Sequence, residues 1–342
     1  MSTMKFTPQD FKSDQEVKWC PGCGDHAVLA SIQRALPEIS EILGYSRERY
    51  VFVSGIGCSS RFPYYMKTYG FHGIHGRAAA IATGIKVANP TLSVWEMTGD
   101  GDSLAIGGNH LIHAIRRNID INIVLFNNRI YGLTKGQYSP TSKWGTITKT
   151  SPYGTVEHPF NPGALAMGAR GTFFARTLDM ELQLTRDIMV EAAKHDGTAL
   201  VEVLQNCVIF NDKTHSIISD KEVRAERTIV LRHGEPMIFG KDMNKGLVLD
   251  GMRLKAVTIG QDGITKDDIL IHNAEEQNHG LHMMLCEMVW PELPVALGII
   301  RRVADRTYDD MVRDQLTEVA NKSEIHCMND MLRSGGDTWV VE

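Results

Sequence analysis

Strand-length apolar runs alternate with longer amphipathic stretches through most of this chain, and this alternation most constrains its fold. Four runs have the β-branched and aromatic composition of buried strands: 50–54 (Y-V-F-V-S), 92–98 (L-S-V-W-E-M-T), 121–127 (I-N-I-V-L-F-N) and 198–204 (T-A-L-V-E-V-L). Helical patterns lie at 26–36, at 76–88, between 98 and 121, and near 180–194. This order predicts an α/β fold, in which right-handed crossovers build a parallel sheet with helices on both faces.

The character of the sequence changes near residue 221. Two later segments alternate around glycine-rich turns, as hairpins do: R-T-I-V-L-R-H-G-E-P-M (227–237) and G-L-V-L-D-G-M-R-L-K-A-V (246–257). Two helices are predicted after them, near 279–289 and 306–321. We predict that residues 1–220 form a domain that carries the chemistry. Residues 221–342 would then form a C-terminal extension that packs on this domain or on a partner.

Composition excludes several classes of function. The chain of 342 residues has 36 basic and 41 acidic side chains, so no basic excess favours nucleic acid or an anionic membrane. Its first residues, M-S-T-M-K-F-T-P-Q-D, lack the apolar core of a signal peptide, and no run resembles a membrane span. We therefore expect a soluble cytoplasmic protein, whose six cysteines are free, catalytic or metal-bound.

Polar, glycine-rich segments follow three of the predicted strands. Asp100 ends one strand and Asn128 follows the next, so both lie at the edge where ligands bind in parallel sheets. Mg²⁺ takes oxygen ligands and usually completes its shell with phosphate oxygens. A helix that opens at Ser103 would point its N-terminus at the same place and favour phosphate. Gly99 and Gly101 would let the backbone approach closely.

This arrangement resembles the thiamine-diphosphate motif, in which G-D-G (99–101 here) is followed by N-N (127–128 here). The resemblance implies that Asp100, Asn128 and the main-chain carbonyl of Ile130 bind Mg²⁺. A strand-end turn with solvated polar residues is the alternative, and a lone G-D-G would favour it. The pair Asn127–Asn128, which follows a strand at this spacing, favours the cofactor.

The cysteine pair in W-C-P-G-C, Cys20 and Cys23, permits disulfide exchange, zinc binding or iron–sulfur ligation. A thioredoxin-like motif usually follows a strand, whereas a polar tail precedes this pair. Structural zinc usually takes a second close pair, and none is present. Cys58 and Cys207 stand alone, each soon after a predicted strand, so both should lie at the same edge as Asp100. Four such thiolates are typical of a [4Fe–4S] cluster.

A lone cysteine is more often an ordinary buried thiol, and this interpretation is kept for Cys286 and Cys327. The other motifs together resemble the beta subunits of 2-oxoacid:ferredoxin oxidoreductases over residues 14–215. The matching segments are W-C-P-G-C-G-D-H (19–26), G-I-G-C-S-S-R (55–61), H-G-R-A (75–78), G-D-G-D (99–102), N-N-R-I-Y-G-L-T-K-G-Q (127–137), S-P-T (139–141) and Q-N-C (205–207).

The resemblance implies an activity and its cofactors. A 2-oxo acid would be oxidatively decarboxylated to acyl-coenzyme A and CO₂ on thiamine diphosphate, and the reaction can also run toward carboxylation. Single electrons would pass through a [4Fe–4S] cluster, held by Cys20, Cys23, Cys58 and Cys207, to ferredoxin. We favour 2-oxoglutarate as substrate, because Arg61 and Lys135 offer positive charge for a dicarboxylate and the long tail resembles members with that activity.

The resemblance also implies roles for individual residues. Arg61 would pair with the substrate carboxylate, where many members have lysine; a plain surface charge is the alternative. His75 would contact the diphosphate or thiazolium region, and a satisfied core histidine is the alternative. The remaining predicted cofactor contacts are Ile56, Gly57, Cys58 and Ser59, which would line the cofactor, and Gly101, Asp102, Gly132 and Leu133, which would touch the diphosphate.

Thiamine enzymes activate the aminopyrimidine ring with a glutamate on a second module of similar fold, and this chain shows no second module. The family supplies it from an alpha subunit, so we expect this chain to need that partner and to assemble as a dimer of alpha–beta heterodimers. Two other functions remain open. One is a thiamine-dependent decarboxylase or synthase without electron transfer. The other is a non-catalytic, zinc-stabilised interaction subunit.

Overall fold

The computed structural model describes residues 5–337, 339 and 341. Its strands are β1 (Tyr50–Ser54), β2 (Tyr69–His72), β3 (Ser93–Gly99), β4 (Asn122–Asn127), β5 (Phe173–Leu178), β6 (Ala199–Leu204), β7 (Thr228–Leu231), β8 (Ile238–Phe239), β9 (Lys245–Asp250), β10 (Arg253–Thr258) and β11 (Val295–Arg302). Its α-helices are α1 (Asp25–Leu43), α2 (Ala78–Ala88), α3 (Gly108–Arg117), α4 (Pro162–Gly168), α5 (Leu182–Lys194), α6 (Ser216–Ser219), α7 (Arg224–Arg227), α8 (Gly280–Glu287), α9 (Tyr308–Lys322) and α10 (Met328–Arg333).

The main sheet has the strand order β2-β1-β3-β4-β6-β5-β11-β7. The strands from β2 through to β5 in this order are all parallel, which confirms the predicted α/β class. β11 runs antiparallel to β5 and parallel to β7. The carboxyl ends of β1, β3, β4 and β6 therefore lie at one edge of the sheet, and the segments that follow them meet there.

Alternate residues of each central strand face opposite layers, as the two-residue period of a strand requires. In β4, Ile123 and Leu125 pack in the cluster under α2, α3 and α4, whereas Val124 and Phe126 pack in the cluster under α1 and α5. Both faces of the sheet are covered at its centre, so β4 and β6 are buried throughout and read as nearly continuous apolar runs.

Two helices differ in detail from the sequence prediction. α1 continues past Pro37 to Leu43, because its apolar side chains Leu36 and Ile39 pack in the same core layer as α5. The helix expected to open at Ser103 begins instead as a π-helical turn, Asp102–Ile106, before α3. Such turns are frequent at functional sites.

The last third of the chain contributes to two sheets. The segment with β7 was predicted as a hairpin, which is wrong, because β7 pairs in parallel with β11 at the border of the main sheet. The hairpin predicted over 246–257 is present as β9 and β10, which form a small antiparallel sheet with β8. α8 and α9 correspond to the two predicted helices. The division at residue 220 stays a prediction.

Within the described residues, no helix combines the length and apolar character that a membrane crossing requires.

Candidate functional site

Asp100 lies at the carboxyl end of β3 and is buried, with a side chain surrounded by hydroxyl groups. Ser139 Oγ donates to Asp100 Oδ2 at 2.6 Å, and Thr141 Oγ1 donates to the same oxygen. Burial raises the pKa of Asp100, and the two hydroxyl contacts oppose that shift. The carboxylate also has the backbone N–H groups of Gly101 and Arg129 nearby, but its two hydroxyl donors are rotatable and can yield to a metal ion.

Asp102 is also buried, but its side chain joins separate loops of the chain. Its Oδ1 accepts hydrogen bonds from the backbone N–H groups of Ile56, at 3.0 Å, and Gly76, at 2.7 Å. The same oxygen lies 2.5 Å from His75 Nδ1, and Thr98 Oγ1 donates to Oδ2 at 3.0 Å. We call these five residues the Asp102 junction. Because the Asp102 carboxylate is engaged in hydrogen bonds within the chain, Asp102 could contact a diphosphate through its backbone.

The junction orients His75. Because Nδ1 faces a carboxylate, it carries the proton, and Nε2 is left as the free nitrogen of this partly exposed ring. The loop before Cys58 needs Gly57 at φ +147°, a conformation that side chains rarely adopt. Ser59 follows Cys58, and Ser59 Oγ lies 3.5 Å from the position that a Cβ would take at Gly99. The predicted cofactor segments 56–59 and 99–102 are therefore adjacent.

The segment after β4 is folded tightly against the G-D-G turn. Asn128 Oδ1 accepts from Ile130 N at 3.1 Å, and Asn211 Nδ2 donates to the Asn128 carbonyl at 3.0 Å. Tyr131 OH donates to the Gly101 carbonyl at 3.0 Å, and a Cβ at Gly101 would collide with the Tyr131 ring. Glycine is therefore required at 101 for this contact, which holds the two halves of the predicted metal motif together.

The four cysteines predicted to bind a cluster line a single cavity of about 280 Å³. They arrive from three separate segments: Cys20 and Cys23 before α1, Cys58 after β1, and Cys207 after β6. The position that a Cβ would take at Gly132 lies 3.6 Å from the sulfurs of both Cys58 and Cys207. Cys286 is buried in α8 and Cys327 is exposed, and neither lines this cavity.

Hydrogen bonds hold the three cysteine segments in place. Gly24 N donates to the Asn206 carbonyl at 3.2 Å, and Gln205 Nε2 donates to Cys23 Sγ at 3.3 Å, so the first segment is joined to the third. Trp19 Nε1 donates to the Cys58 carbonyl at 2.6 Å and joins the first segment to the second. The cavity is thus built by the chain's own contacts.

The cavity disfavours free thiolates. Burial and then the neighbouring Asp25 raise the pKa of Cys58 to about 12. Burial and then Asp25 also raise the pKa of Cys23. Asp25 itself is buried with both carboxylate oxygens unpartnered, and burial and then Asp179 raise its pKa to about 7. A cationic group among these sulfurs would reverse that preference, since metal ions deprotonate the thiols they bind.

Arg61, Lys135 and Leu133 line the same cavity as the cysteines. Arg61 is exposed and near enough to Cys58 to lower the pKa of its thiol slightly against burial. Lys135 is also exposed, at φ +78°. The structure thus brings Arg61 and Lys135 to the cysteine cavity, which is also lined by Lys18, a residue that pairs with Glu16.

In the described part of the chain, no three His, Cys, Asp or Glu side chains gather closely enough to share one metal ion. The predicted Mg²⁺ ligands include an amide oxygen and a carbonyl, which lie outside that set of side chains. The cysteines surround a cavity instead of converging on a single point.

Sequence reasoning assigned no role to several residues of this site: Ser139, Thr141, Tyr131, Gln205 and Asp25. The hydroxyl pair lies in the S-P-T segment, where two hydroxyls soon after the asparagine pair were the available signal. Gln205 and Asp25 each lie within two residues of a predicted cluster cysteine, but only the folded chain shows where their side chains point.

Residues 55–203 match the thiamine pyrophosphate enzyme family, C-terminal TPP-binding domain. This match and the α/β fold place residues 55–203 in the class of thiamine pyrophosphate enzyme domains. Over 337 residues the chain is 50% identical to 2-oxoglutarate oxidoreductase subunit KorB of Mycobacterium tuberculosis, covering 98% of this chain and 88% of the relative. It therefore belongs to the family of 2-oxoacid:ferredoxin oxidoreductase beta subunits.

Two further comparisons agree. The chain is 44% identical over 203 residues to subunit beta of 2-oxoacid:ferredoxin oxidoreductase 2 from Aeropyrum pernix, which covers 59% of this chain and 64% of the relative. The solved 2-oxoglutarate:ferredoxin oxidoreductase from Magnetococcus marinus, with 2-oxoglutarate, coenzyme A and succinyl-CoA bound, is 30% identical. It superposes with a TM-score of 0.77 and the match covers 98% of each chain.

Proposed function

We propose that this chain is the beta subunit of a 2-oxoglutarate:ferredoxin oxidoreductase. The reaction is the coenzyme-A-dependent oxidative decarboxylation of a 2-oxo acid to acyl-coenzyme A and CO₂, with electrons passed through a [4Fe–4S] cluster to ferredoxin. The observation that carries the proposal is the convergence of Cys20, Cys23, Cys58 and Cys207 on one cavity that Asn128 of the predicted metal motif also lines. A reducing cytoplasm suits these free thiols.

The donor set of the cavity fits a [4Fe–4S] cluster. Each cysteine of such a cluster binds a different iron, so the four sulfurs surround a volume, as they do here. A single zinc ion would need its ligands within about 2.3 Å of one point. The N–H group that Gln205 points at Cys23 Sγ is the kind of donor that stabilises a cluster thiolate.

The residues after β3 and β4 fit thiamine diphosphate with Mg²⁺. Asp100, Asn128 and the Ile130 carbonyl would hold the metal, and the hydroxyls of Ser139 and Thr141 would orient Asp100. When bound, thiamine diphosphate supplies the nucleophilic carbon and the electron sink for decarboxylation.

The Asp102 junction would set the wall of the cofactor site. Asp102 fixes the proton of His75 on Nδ1, so that Nε2 can accept a hydrogen bond or hold a proton near the cofactor. It also fixes the backbone at Ile56 and Gly76.

We favour 2-oxoglutarate as the substrate. Arg61 and Lys135 place two positive charges at the mouth of the cysteine cavity, which suits a dicarboxylate. The relatives named above as 2-oxoglutarate enzymes support the same choice.

The proposed partner is an alpha subunit with the complementary thiamine module, in a dimer of alpha–beta heterodimers. Three apolar side chains that line the cysteine cavity are exposed: Leu133 by 50%, Ile209 by 59% and Phe210 by 40%. Such exposure is unusual for apolar side chains next to a site from which water should be excluded. A subunit packed there would cover them and exclude water.

Anaerobic co-purification with the alpha subunit, followed by coenzyme-A-dependent dye reduction on a panel of 2-oxo acids, tests the substrate. We expect 2-oxoglutarate to be turned over fastest. Equal rates on pyruvate and 2-oxoglutarate would defeat this preference.

Iron and acid-labile sulfide content tests the cluster separately from activity. Cys20→Ser and Cys207→Ser should lose most of the iron and the visible absorption that bleaches on reduction, whereas the matched control Cys286→Ser should keep both. Zinc in place of iron would support the interaction-subunit alternative. Thiamine diphosphate without iron would support a decarboxylase or synthase.

A further inference from the structure

A second cavity, of about 290 Å³, lies beside the carboxyl ends of β4 and β6 and shares no lining residue with the cysteine cavity. Its charged lining consists of Arg129, Lys143, Arg176 and Glu202. Three cations therefore share the cavity with one carboxylate.

Glu202 is already satisfied by its neighbours. Arg176 Nε donates to Glu202 Oε2 at 2.6 Å, and Asn127 Nδ2 donates to Oε1 at 2.7 Å. Arg176 also donates to the Cys286 carbonyl at 3.3 Å. This buried pair balances its own charges, and neither Arg129 nor Lys143 forms an ion pair with a carboxylate of the described residues.

Arg129 has no carboxylate partner in the described ranges 5–337, 339 and 341, and its Nε is buried with no hydrogen-bond partner at all. Its backbone is held at φ +58°, and Ser142 Oγ donates to its carbonyl at 2.7 Å. The buried Nε has lost water without gaining a hydrogen-bond acceptor, which is costly for a charged group.

Arg129 and Lys143 bring positive charge to the cavity, and Glu202 and Asp100 lie near enough to Arg129 to oppose its charge in part. Lys143 is the more exposed of the two unpaired cations, so an anion can reach the cavity past it.

The rest of the lining is apolar. Leu204, Ile218, Met288 and Val295 are among the side chains that face the cavity. Inorganic phosphate has no apolar part to bury against them, whereas a short aliphatic acid does. Planar guanidinium groups also match a carboxylate with two parallel hydrogen bonds.

We infer that this second cavity is a binding site for a short aliphatic carboxylate, held by Arg129 and Lys143 against apolar walls. Two unpaired positive charges favour a dicarboxylate over a monocarboxylate. Thr141 lines the cavity and lies within hydrogen-bonding distance of both Asp100 and Asn127, so the occupant also contacts the wall behind the predicted metal site.

Calorimetric titration of the full chain, alone and in its complex with the alpha subunit, tests the site. The probes are glutarate, butyrate and inorganic phosphate, and none carries the keto group of the proposed substrate. We expect glutarate to bind more tightly than butyrate, and butyrate more tightly than phosphate. Phosphate binding as tightly as glutarate would overturn the carboxylate assignment.

Arg129→Gln should weaken glutarate binding about tenfold or more, and Lys143→Gln about threefold, since each removes one unpaired charge. The matched controls are Arg170→Gln, an exposed arginine that also has a left-handed backbone, at φ +63°, and Lys149→Gln. Both controls should bind as the unmodified chain does. Unchanged affinity in Arg129→Gln would overturn the site.

Thermal melting separates loss of the site from loss of the fold. Arg129→Gln removes a buried charge, so it should melt no lower than the unmodified chain in anion-free buffer and should gain nothing from glutarate. If glutarate binds the free chain but not the alpha–beta complex, the cavity receives an acidic side chain of the partner, and the small-molecule site is refuted.

Discussion

Asp100 and Asp102 are two residues apart and equally buried, yet the chain uses them in different ways. Asp100 accepts hydrogen bonds from side-chain hydroxyls, which can rotate away. Asp102 accepts from the backbone of two other loops and from His75, none of which can be replaced without moving the loops. The difference supports the proposal that Asp100 receives a ligand, while Asp102 holds the chain around it.

The largest expected effect is on stability at the Asp102 junction. Asp102→Ala would leave the N–H groups of Ile56 and Gly76 without their acceptor in a buried setting. We expect the free energy of unfolding to fall by about 3–5 kcal/mol. Urea unfolding of the full chain measures it. A loss below about 1 kcal/mol would show that the junction does not hold the loops together.

Asp100→Asn should affect cofactor binding more than stability, the opposite of Asp102→Ala. Burial raises the pKa of Asp100, so an uncharged amide should leave the metal-free chain as stable as before, or slightly more stable. Binding of thiamine diphosphate with Mg²⁺ to the complex should weaken about 100-fold, because the amide lacks the charge that Mg²⁺ prefers. Calorimetry with and without Mg²⁺ checks this. Equal destabilisation by Asp100→Asn and Asp102→Ala would erase the distinction between the two aspartates.

A smaller effect is expected on the pH dependence of stability, through Glu96 in β3. It is buried with Oε2 unpartnered, and burial and then Asp102 raise its pKa from 4.5 to about 8. The folded chain therefore holds this proton more tightly than the unfolded chain, and the stability that Glu96 contributes declines as pH rises from about 4.5 to 8. Glu96→Gln should gain stability over the unmodified chain across this window, on the order of a few kcal/mol by its upper end.

Measuring the effect of Glu96→Gln on stability against pH in an Asp102→Asn background tests the contribution of the Asp102 charge. Removing the Asp102 charge lowers the pKa of Glu96, so the window should shift to lower pH. A difference between Glu96→Gln and the unmodified chain that does not change with pH would mean that folding leaves the pKa of Glu96 unchanged.

The central strands and their order along the chain could be predicted because strands buried on both faces are nearly all apolar. β5 was missed because its sequence, F-F-A-R-T-L, contains Arg176, and burial of this charge is possible only opposite Glu202 on β6. The antiparallel pairing of β11 with β5 depends on contacts between distant segments, which no local pattern records.

The placement of the cysteines at one edge followed from strand direction alone. Which side chains reach into the cavity could not be predicted, because that depends on contacts such as Gln205 to Cys23 and Trp19 to Cys58. The second cavity was invisible for the same reason, since Arg129 and Val295 are far apart in sequence. Local sequence pattern thus predicts at which edge of the sheet the site lies, whereas the side chains that form the site are determined by tertiary packing.

The smallest expected effect on stability is at Gly132. A Cβ there would lie in ordinary contact, 3.6 Å from the sulfurs of Cys58 and Cys207, so Gly132→Ala should change the free energy of unfolding of the metal-free chain by less than about 0.5 kcal/mol. The added methyl group would nevertheless occupy space between two proposed cluster ligands, so iron content should fall or the absorption spectrum of the reduced protein should change. Gly108→Ala, where a Cβ meets nothing within 4 Å, is the matched control and should keep its iron. Full iron content with an unchanged spectrum in Gly132→Ala would mean that these two sulfurs do not face a shared cluster, and the contacts around the cysteine cavity would then, like those of Asp102 with Ile56 and Gly76, hold loops of the chain together.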